Sequence, residues 1–241
     1  MLPRLPRACW SALLLTLSAC GAGPMQPSTP PTPSSAPTPG PAYDTGPTSY
    51  GSEVGGLSQE DVEEQLASMQ PAFLRCVRAS SHAITWLGGQ VGIRMRLAPS
   101  GRVRWVYLTE STLGDRDTER CLLDTIRGRT WPRPLSGDGL AHTSFEVEPS
   151  EPPSTWPRFK AAAIAQRARE ATRACRNGVE GSFVATVYVA PQGHVLSAGV
   201  APPDERGEAA SDCIVQALTT LRLRNLAVAQ RDTAKISFSL P

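Results

Sequence analysis

Lysine is nearly absent from these 241 residues: Lys160 and Lys235 are the only two, and arginine carries the rest of the positive charge. Histidine is scarce too, and none of His82, His142 and His194 stands at metal-ligand spacing. No C-x-x-C occurs among the six cysteines, and no histidine adjoins the last four. These gaps argue against a zinc site and against a thioredoxin-like redox motif. G-x-S-x-G, H-E-x-x-H and phosphate-loop patterns are missing as well, so nothing nominates a catalytic constellation. The expectation is a protein that is not an enzyme and uses no cofactor and no metal. Excess charge is the last absence. Setting aside Arg4 and Arg7 leaves 22 basic side chains against 22 acidic ones, and nothing global points to nucleic acid.

What is present begins with an export signal. Arg4 and Arg7 precede a short apolar core, Trp10 to Leu17, and small residues follow it. The core is far below the ~20 residues that span a bilayer. Its ending, Leu17-Ser18-Ala19-Cys20, resembles a bacterial lipobox, which implies cleavage after residue 19 and acylation of Cys20. The other reading is an ordinary secretory signal, and it exports the chain just as well. Gly21, rather than Asp, follows the cysteine. By the same resemblance the expected location is the outer membrane, facing the periplasm, with surface display left open. The lipid then supplies the membrane contact.

Residues 20–56 read as a tether. Nine prolines fall between Pro24 and Pro47, amid Ser, Thr and Gly, with almost nothing apolar to bury. At ~3.1 Å per residue such a segment reaches roughly 110 Å at most.

The rest of the chain repeats itself. A constant offset of 92 pairs Gly89 with Gly181, Ala98-Pro99 with Ala190-Pro191, Gly101 with Gly193, Val103 with Val195, and Cys121 with Cys213. Cys76 matches Cys175 after a short deletion. Two tandem modules follow, residues 57–149 and 154–241, the second diverged. Each reads as helix, strand, strand, helix, strand. That is an α+β fold with a small antiparallel sheet covered by helices on one face.

In module one, Ser58 caps a helix whose face is Val62, Leu66, Met69, Phe73 and Val77, with Pro71 expected to split or kink it. Ile164, Ala168, Ala171 and Cys175 repeat that spacing, so both first helices are expected to end on a cysteine. A hairpin follows, with Val91, Ile93, Met95 and Leu97 inward. A three-residue loop ending in Gly101 sets Leu97 opposite Val103 and Arg96 opposite Arg104. Trp105 and Tyr107 then share the core side with Val103. Asp115 or Asp117 caps the second helix, whose inner stripe is Cys121, Leu122, Thr125 and Ile126, and Trp131-Pro132-Arg133-Pro134 stops it. In module two, Ile214, Val215, Leu218 and Leu221 do the same. The acidic cluster Asp115, Asp117 and Glu119 reads as helix capping rather than as a metal site.

Four cysteines allow three pairings once Cys9 leaves with the signal and Cys20 is acylated. The repeat places one at the first helix and one at the second helix of each module, so the expected disulfides are Cys76–Cys121 and Cys175–Cys213. An exported chain meets an oxidising compartment.

Module one resembles the TonB C-terminal domain family, most closely its AgmX/PglI branch. The residues that carry the likeness are Cys76, the Gly89 to Met95 strand, Pro99 to Val103, Ser111-Thr112-Leu113, Cys121-Leu122-Leu123 and Trp131-Pro132 with Pro134. Module two departs from it, with Pro202-Pro203-Asp204 near the Ser-Thr-Leu position and no aromatic-Pro pair. The resemblance implies an envelope-associated interaction domain, with a sheet edge able to pair with a partner strand.

Two surfaces are expected to meet a partner. One is an outer hairpin face with Arg94, Arg96, Arg102 and Arg104, suited to phosphate or carboxylate, or else a solvated face balanced by Glu146 and Glu148. The other is the matching face of module two, with Val184, Thr186, Tyr188, Leu196 and Val200; Tyr188 and Leu196 either bind a partner or pack on module one. The functional expectation is a lipid-anchored, non-catalytic interaction or scaffold protein with an envelope protein partner. The alternative is a lipoprotein that binds peptidoglycan or a small ligand. Oligomeric state and partner identity have no signature.

Overall fold

A computed structural model describes residues 56–81, 84, 86–223 and 232–241. The signal segment, Cys20, the tether up to residue 55 and His82 lie outside the described residues. The elements run α1 Gln59–Ser81, β1 Gly89–Leu97, β2 Val103–Ser111, α2 Arg116–Arg127, β3 Gly139–Val147, α3 Arg158–Ala171, β4 Phe183–Val189, β5 Val195–Ala201, a 3-10 turn Gly207–Ala210, α4 Ser211–Thr219 and β6 Ala234–Leu240. The class is α+β. Two three-stranded antiparallel sheets form, ordered β2-β1-β3 and β5-β4-β6, so the first strand of each set is central.

Each sheet buries one face under two helices. Val62, Leu66, Met69 and Phe73 of α1 and Leu122, Leu123 and Ile126 of α2 close over Val91, Ile93, Met95 and Leu97. Ile164 and Ala168 of α3 and Ile214 and Leu218 of α4 close over Phe183, Ala185, Val187 and Val189. The period-four faces read from sequence make these cores, because a helix buries one stripe. Leu123, Ala165 and Thr172 are buried in addition, while Ala171 is exposed.

Pro71 does not divide α1, which runs unbroken through it. The proline sits on the exposed side. Water can satisfy the carbonyl it frees there, while Met69 and Phe73 hold both flanking turns to the core. The first helices do not end on their cysteines either. Cys76 lies inside α1, and Cys175 lies beyond the end of α3, in the turns that follow. Both disulfides are nonetheless made, Cys76–Cys121 and Cys175–Cys213, each with Cα atoms 5.6 Å apart. α2 stops at Gly128, before the Trp131-Pro132 pair reaches it.

The recurring turn has the same geometry in both halves. Gly101 and Gly193 take φ of 78° and 79°. Gly101 N donates to Ala98 O and Ala98 N to Arg102 O, both at 2.8 Å, and Ala190, Gly193 and His194 repeat the pattern. The glycine then does a second job. Its carbonyl accepts the Trp131 amide at 2.9 Å, and the Gly193 carbonyl accepts that of Leu223 at 2.5 Å. A β-carbon on Gly101 would lie 2.2 Å from Trp131 O, so the closeness of this docking, as well as φ, demands glycine.

One residue past each turn the register slips. Leu97 faces Val103, but Arg96 faces Trp105; Val189 faces Val195, but Tyr188 faces Ser197. Arg104 and Leu196 are left over as bulges. A one-residue slip moves the side chains after it to the other face, and in β2 a second slip, which leaves Thr109 over, restores the phase at Ser111. The expected Arg96–Arg104 pairing is therefore absent. Val106 and Leu108 enter the core, and Trp105 and Tyr107 share the outer face with Arg94 and Arg96. In β5 the slip puts Val200 into the core, not on the outer face, and turns Ser197, Gly199 and Ala201 outward.

Candidate interaction surfaces and the joint between the sheets

The outer face of the first sheet is a mixed aromatic and basic surface. Register sets Arg94 between Tyr107 and His142, and Arg96 between Trp105 and Leu140. The Trp105 and Tyr107 rings lie 5.7 Å apart, tilted by 53°. Arg102 is exposed at the turn. The four arginines are thus gathered at one side of the hairpin, but two of them share an acid the sequence did not single out. Arg96 Nε and Arg104 Nε donate to the two oxygens of Asp138 at 2.8 and 2.9 Å. Partial desolvation works to raise the Asp138 carboxyl, but Arg104 and Arg96 outweigh it and hold it below its ordinary value. These ion pairs run to Asp138 rather than to Glu146 or Glu148. Arg94 is half-buried on the central strand.

The outer face of the second sheet is covered. Segment 111–119 of the first half, which includes the Ser111-Thr112-Leu113 step and the start of α2, packs against it. Tyr188 and Ala201 are buried within the first half's own core. Tyr188 is therefore closed to an outside partner, and Leu196, on the bulge, stays 44% exposed. Tyr188 Oη donates to Trp86 O at 2.8 Å. Lys235 Nζ donates to Gly88 O at 2.5 Å and stands 5.9 Å from the Tyr188 ring centre. Gly114, with φ of 73°, lets the chain pass beneath Tyr188 and Thr186. Gly199 leaves room for the Glu119 carboxyl, whose Oε1 would lie 2.2 Å from any β-carbon there.

Polar groups knit the same joint. Asp115 is the N-cap of α2, and its Oδ2 accepts from Thr118 N at 3.0 Å and Thr118 Oγ1 at 2.7 Å. Its Oδ1 accepts from Ser197 Oγ of the second sheet at 2.7 Å. Arg116 donates from Nε to Asp212 Oδ1 at 2.8 Å and from Nη2 to Glu208 Oε1 at 2.7 Å. Glu119 is fully buried. Ser111 Oγ donates to its Oε1 at 2.6 Å, and Val200 N of β5 donates to its Oε2 at 3.1 Å. The cluster Asp115, Asp117 and Glu119 thus separates into a cap, an exposed residue and a buried tie between halves. Among the described residues no group of three or more His, Cys, Asp or Glu side chains is arranged to hold a metal ion. Sequence reading missed Arg116, Glu119 and Gly199 as a set. A glycine inside a strand is the one signal that pointed here, since it marks a close approach.

Burial pushes the Glu119 carboxyl up to about 8, against the opposing effects of the Ser111 and Val200 hydrogen bonds and of Arg116. Unfolded, the group ionises near 4.5. Between those values the native chain keeps a proton that the unfolded chain has released. The stability this protonation confers is whole below about 4.5 and is lost as pH rises through about 8. Glu119→Gln has no titrating group; its amide oxygen can accept from Val200 N while its amide nitrogen donates to Ser111 Oγ, the reverse of the present bond, so it removes the slope. The thermal midpoint of the wild type should fall relative to that variant as pH rises through this window; parallel curves would refute a neutral Glu119.

A cavity of about 540 Å³ opens beside the joint, lined by Trp86, Glu151, Ser154, Pro191 and Asp232 among others. Compared with known proteins, the chain matches no family model, no curated protein and no solved structure.

Proposed function

We propose that the chain is an exported, lipid-anchored protein of the outer membrane, facing the periplasm, that acts without catalysis as an interaction or scaffold protein. In this reading it is built from two tandem copies of one helix-strand-strand-helix-strand unit, akin to TonB C-terminal domains of the AgmX/PglI branch. The observation that carries it is an asymmetry. The outer face of the second sheet is occupied by the first half, while the equivalent face of the first sheet presents Arg94, Arg96 and Trp105. One unit recognises and the other braces it. Trp, Tyr and Arg are the side chains enriched at binding hot spots. The two disulfides support an oxidising compartment.

Crosslinking in intact cells, with the captured protein identified by mass spectrometry, tests this. Recurrent capture of one envelope protein, lost in Arg94→Glu plus Arg104→Glu, is the expected result. Capture that survives the double substitution rejects the arginine face. The second reading, a peptidoglycan- or small-ligand-binding lipoprotein, is favoured by the cavity at Trp86, Glu151 and Asp232. Co-sedimentation with peptidoglycan, in the absence of any protein captured in cells, would select it.

A further inference from the structure

A further concentration of charge lies away from both faces, on α3 and the turns that follow it. Residues 158–177 contain six basic side chains, Arg158, Lys160, Arg167, Arg169, Arg173 and Arg176, against one acid, Glu170. The imbalance is not a general property of the chain, whose mature charge is close to zero. It is absent from α1, which opens with exposed Glu60, Asp61, Glu63 and Glu64. The two halves therefore carry opposite charge on corresponding first helices.

Ile164, Ala165 and Ala168 set the buried side of α3. At 3.6 residues per turn the opposite crest holds Phe159, Gln166 and Glu170. Arg158 and Arg169 line one flank of that crest, and Lys160 and Arg167 the other. Phe159 is 72% exposed, a large apolar ring on the solvent side of a helix. Beyond the helix end, burial and then the charges of Arg169 and Arg173 lower Arg176 below the ordinary arginine value, a sign of crowding. Arg176 is held in place, with Nε donating to Thr172 Oγ1 at 3.2 Å and Nη2 donating to Arg169 O at 3.0 Å. Among the described residues, Arg158, Arg169 and Arg173 have no ion pair.

We propose that the outer side of α3, with Phe159 at its crest and the arginines on its flanks, docks on an anionic phospholipid bilayer. A ring between two rows of cations suits the boundary where headgroup phosphates meet acyl chains. The bilayer is chosen because one occupant meets both features, its phosphates the arginines and its acyl chains Phe159. The lipid-anchor reading supplies the nearby bilayer, and the proposal rests on that reading for proximity alone. Docking through α3 leaves the first sheet to its own partner.

The test uses the full mature chain carrying Cys20→Ser, which is unacylated, co-sedimented with vesicles. Binding is expected to phosphatidylglycerol–phosphatidylcholine vesicles and not to phosphatidylcholine alone, weakening with added salt. Arg158→Glu plus Arg169→Glu should lower the apparent affinity by about tenfold or more. Phe159→Ser should weaken it as well, and Arg129→Glu plus Arg133→Glu, an equal charge reversal at exposed positions away from α3, should leave it unchanged. All these side chains are exposed or half-buried, and unaltered melting curves show that the variants fold. Equal binding by wild type and the α3 variants, or none to the anionic vesicles, overturns the proposal. Binding to polyglutamate as tight as to vesicles, indifferent to Phe159, overturns it in favour of a general polyanion site. Membrane release of Cys20→Ser in cells tests the anchor separately and stands apart from the vesicle result.

Discussion

Replacing Tyr188 by alanine should cost the folded chain about 3–5 kcal/mol, the range for emptying a buried aromatic site, and should uncouple its two halves. The ring belongs by sequence to β4 of the second sheet but is buried with the side chains of the first core. Its hydroxyl is tied to Trp86 O. Truncation opens a void against Gly114 and removes the contact of Lys235 with the ring. Each half keeps its own core and its own disulfide, so the loss falls on the joint. Calorimetry should show one cooperative transition in the wild type and two in Tyr188→Ala. Tyr188→Phe keeps the ring and loses the hydrogen bond, for about 1 kcal/mol, and should keep one transition. A single, unshifted transition in the alanine variant would show that the two sheets are not coupled through this side chain.

The second large effect is on the staples. Cys76–Cys121 closes a loop of 45 residues by sequence separation. The chain-entropy account assigns such a loop about 4 kcal/mol, a large share of the 5–15 kcal/mol typical of a domain. Cys76→Ala with Cys121→Ala removes the bond without leaving an odd thiol. The urea midpoint should drop by an amount equivalent to about 4 kcal/mol. Wild-type protein in reductant loses Cys175–Cys213 as well and should fall further than the double variant. If both keep the oxidised midpoint, the bond contributes nothing beyond the packing of Cys76 against α2.

Much of this fold is written locally. The α1 stripe, the glycine turn and the cysteine pairing each depend on short-range spacing or on comparing the two copies. The phase of β2 was not legible. In Val103-Arg104-Trp105-Val106-Tyr107-Leu108 both alternations are apolar from Trp105 onward, and the bulge at Arg104 decides between them. The same bulge at Leu196 moved Val200 inward and Ser197 and Gly199 outward. The joint was half legible. An apolar outer face on the second sheet signalled burial, but Glu119 looked like one more acid at a helix start. Only contact with Val200 N of the other half, far along the chain, makes it a buried tie. Asp138 was unreadable as the partner of Arg96 and Arg104 because β3 brings it there from a distant loop.

Tension offers a different view of the two disulfides. A pull on the N-terminal side of the described chain can peel α1 from its end only as far as Cys76. There the force crosses sulfur to Cys121 and continues along α2. The intervening chain, β1 and β2 included, drops out of the force path. Cys175 and Cys213 bypass β4 and β5 in the same way. In each half the hairpin sits in a slack covalent loop, so a stretched chain would keep its Arg94 and Trp105 face in register while its flanking helices bore the strain.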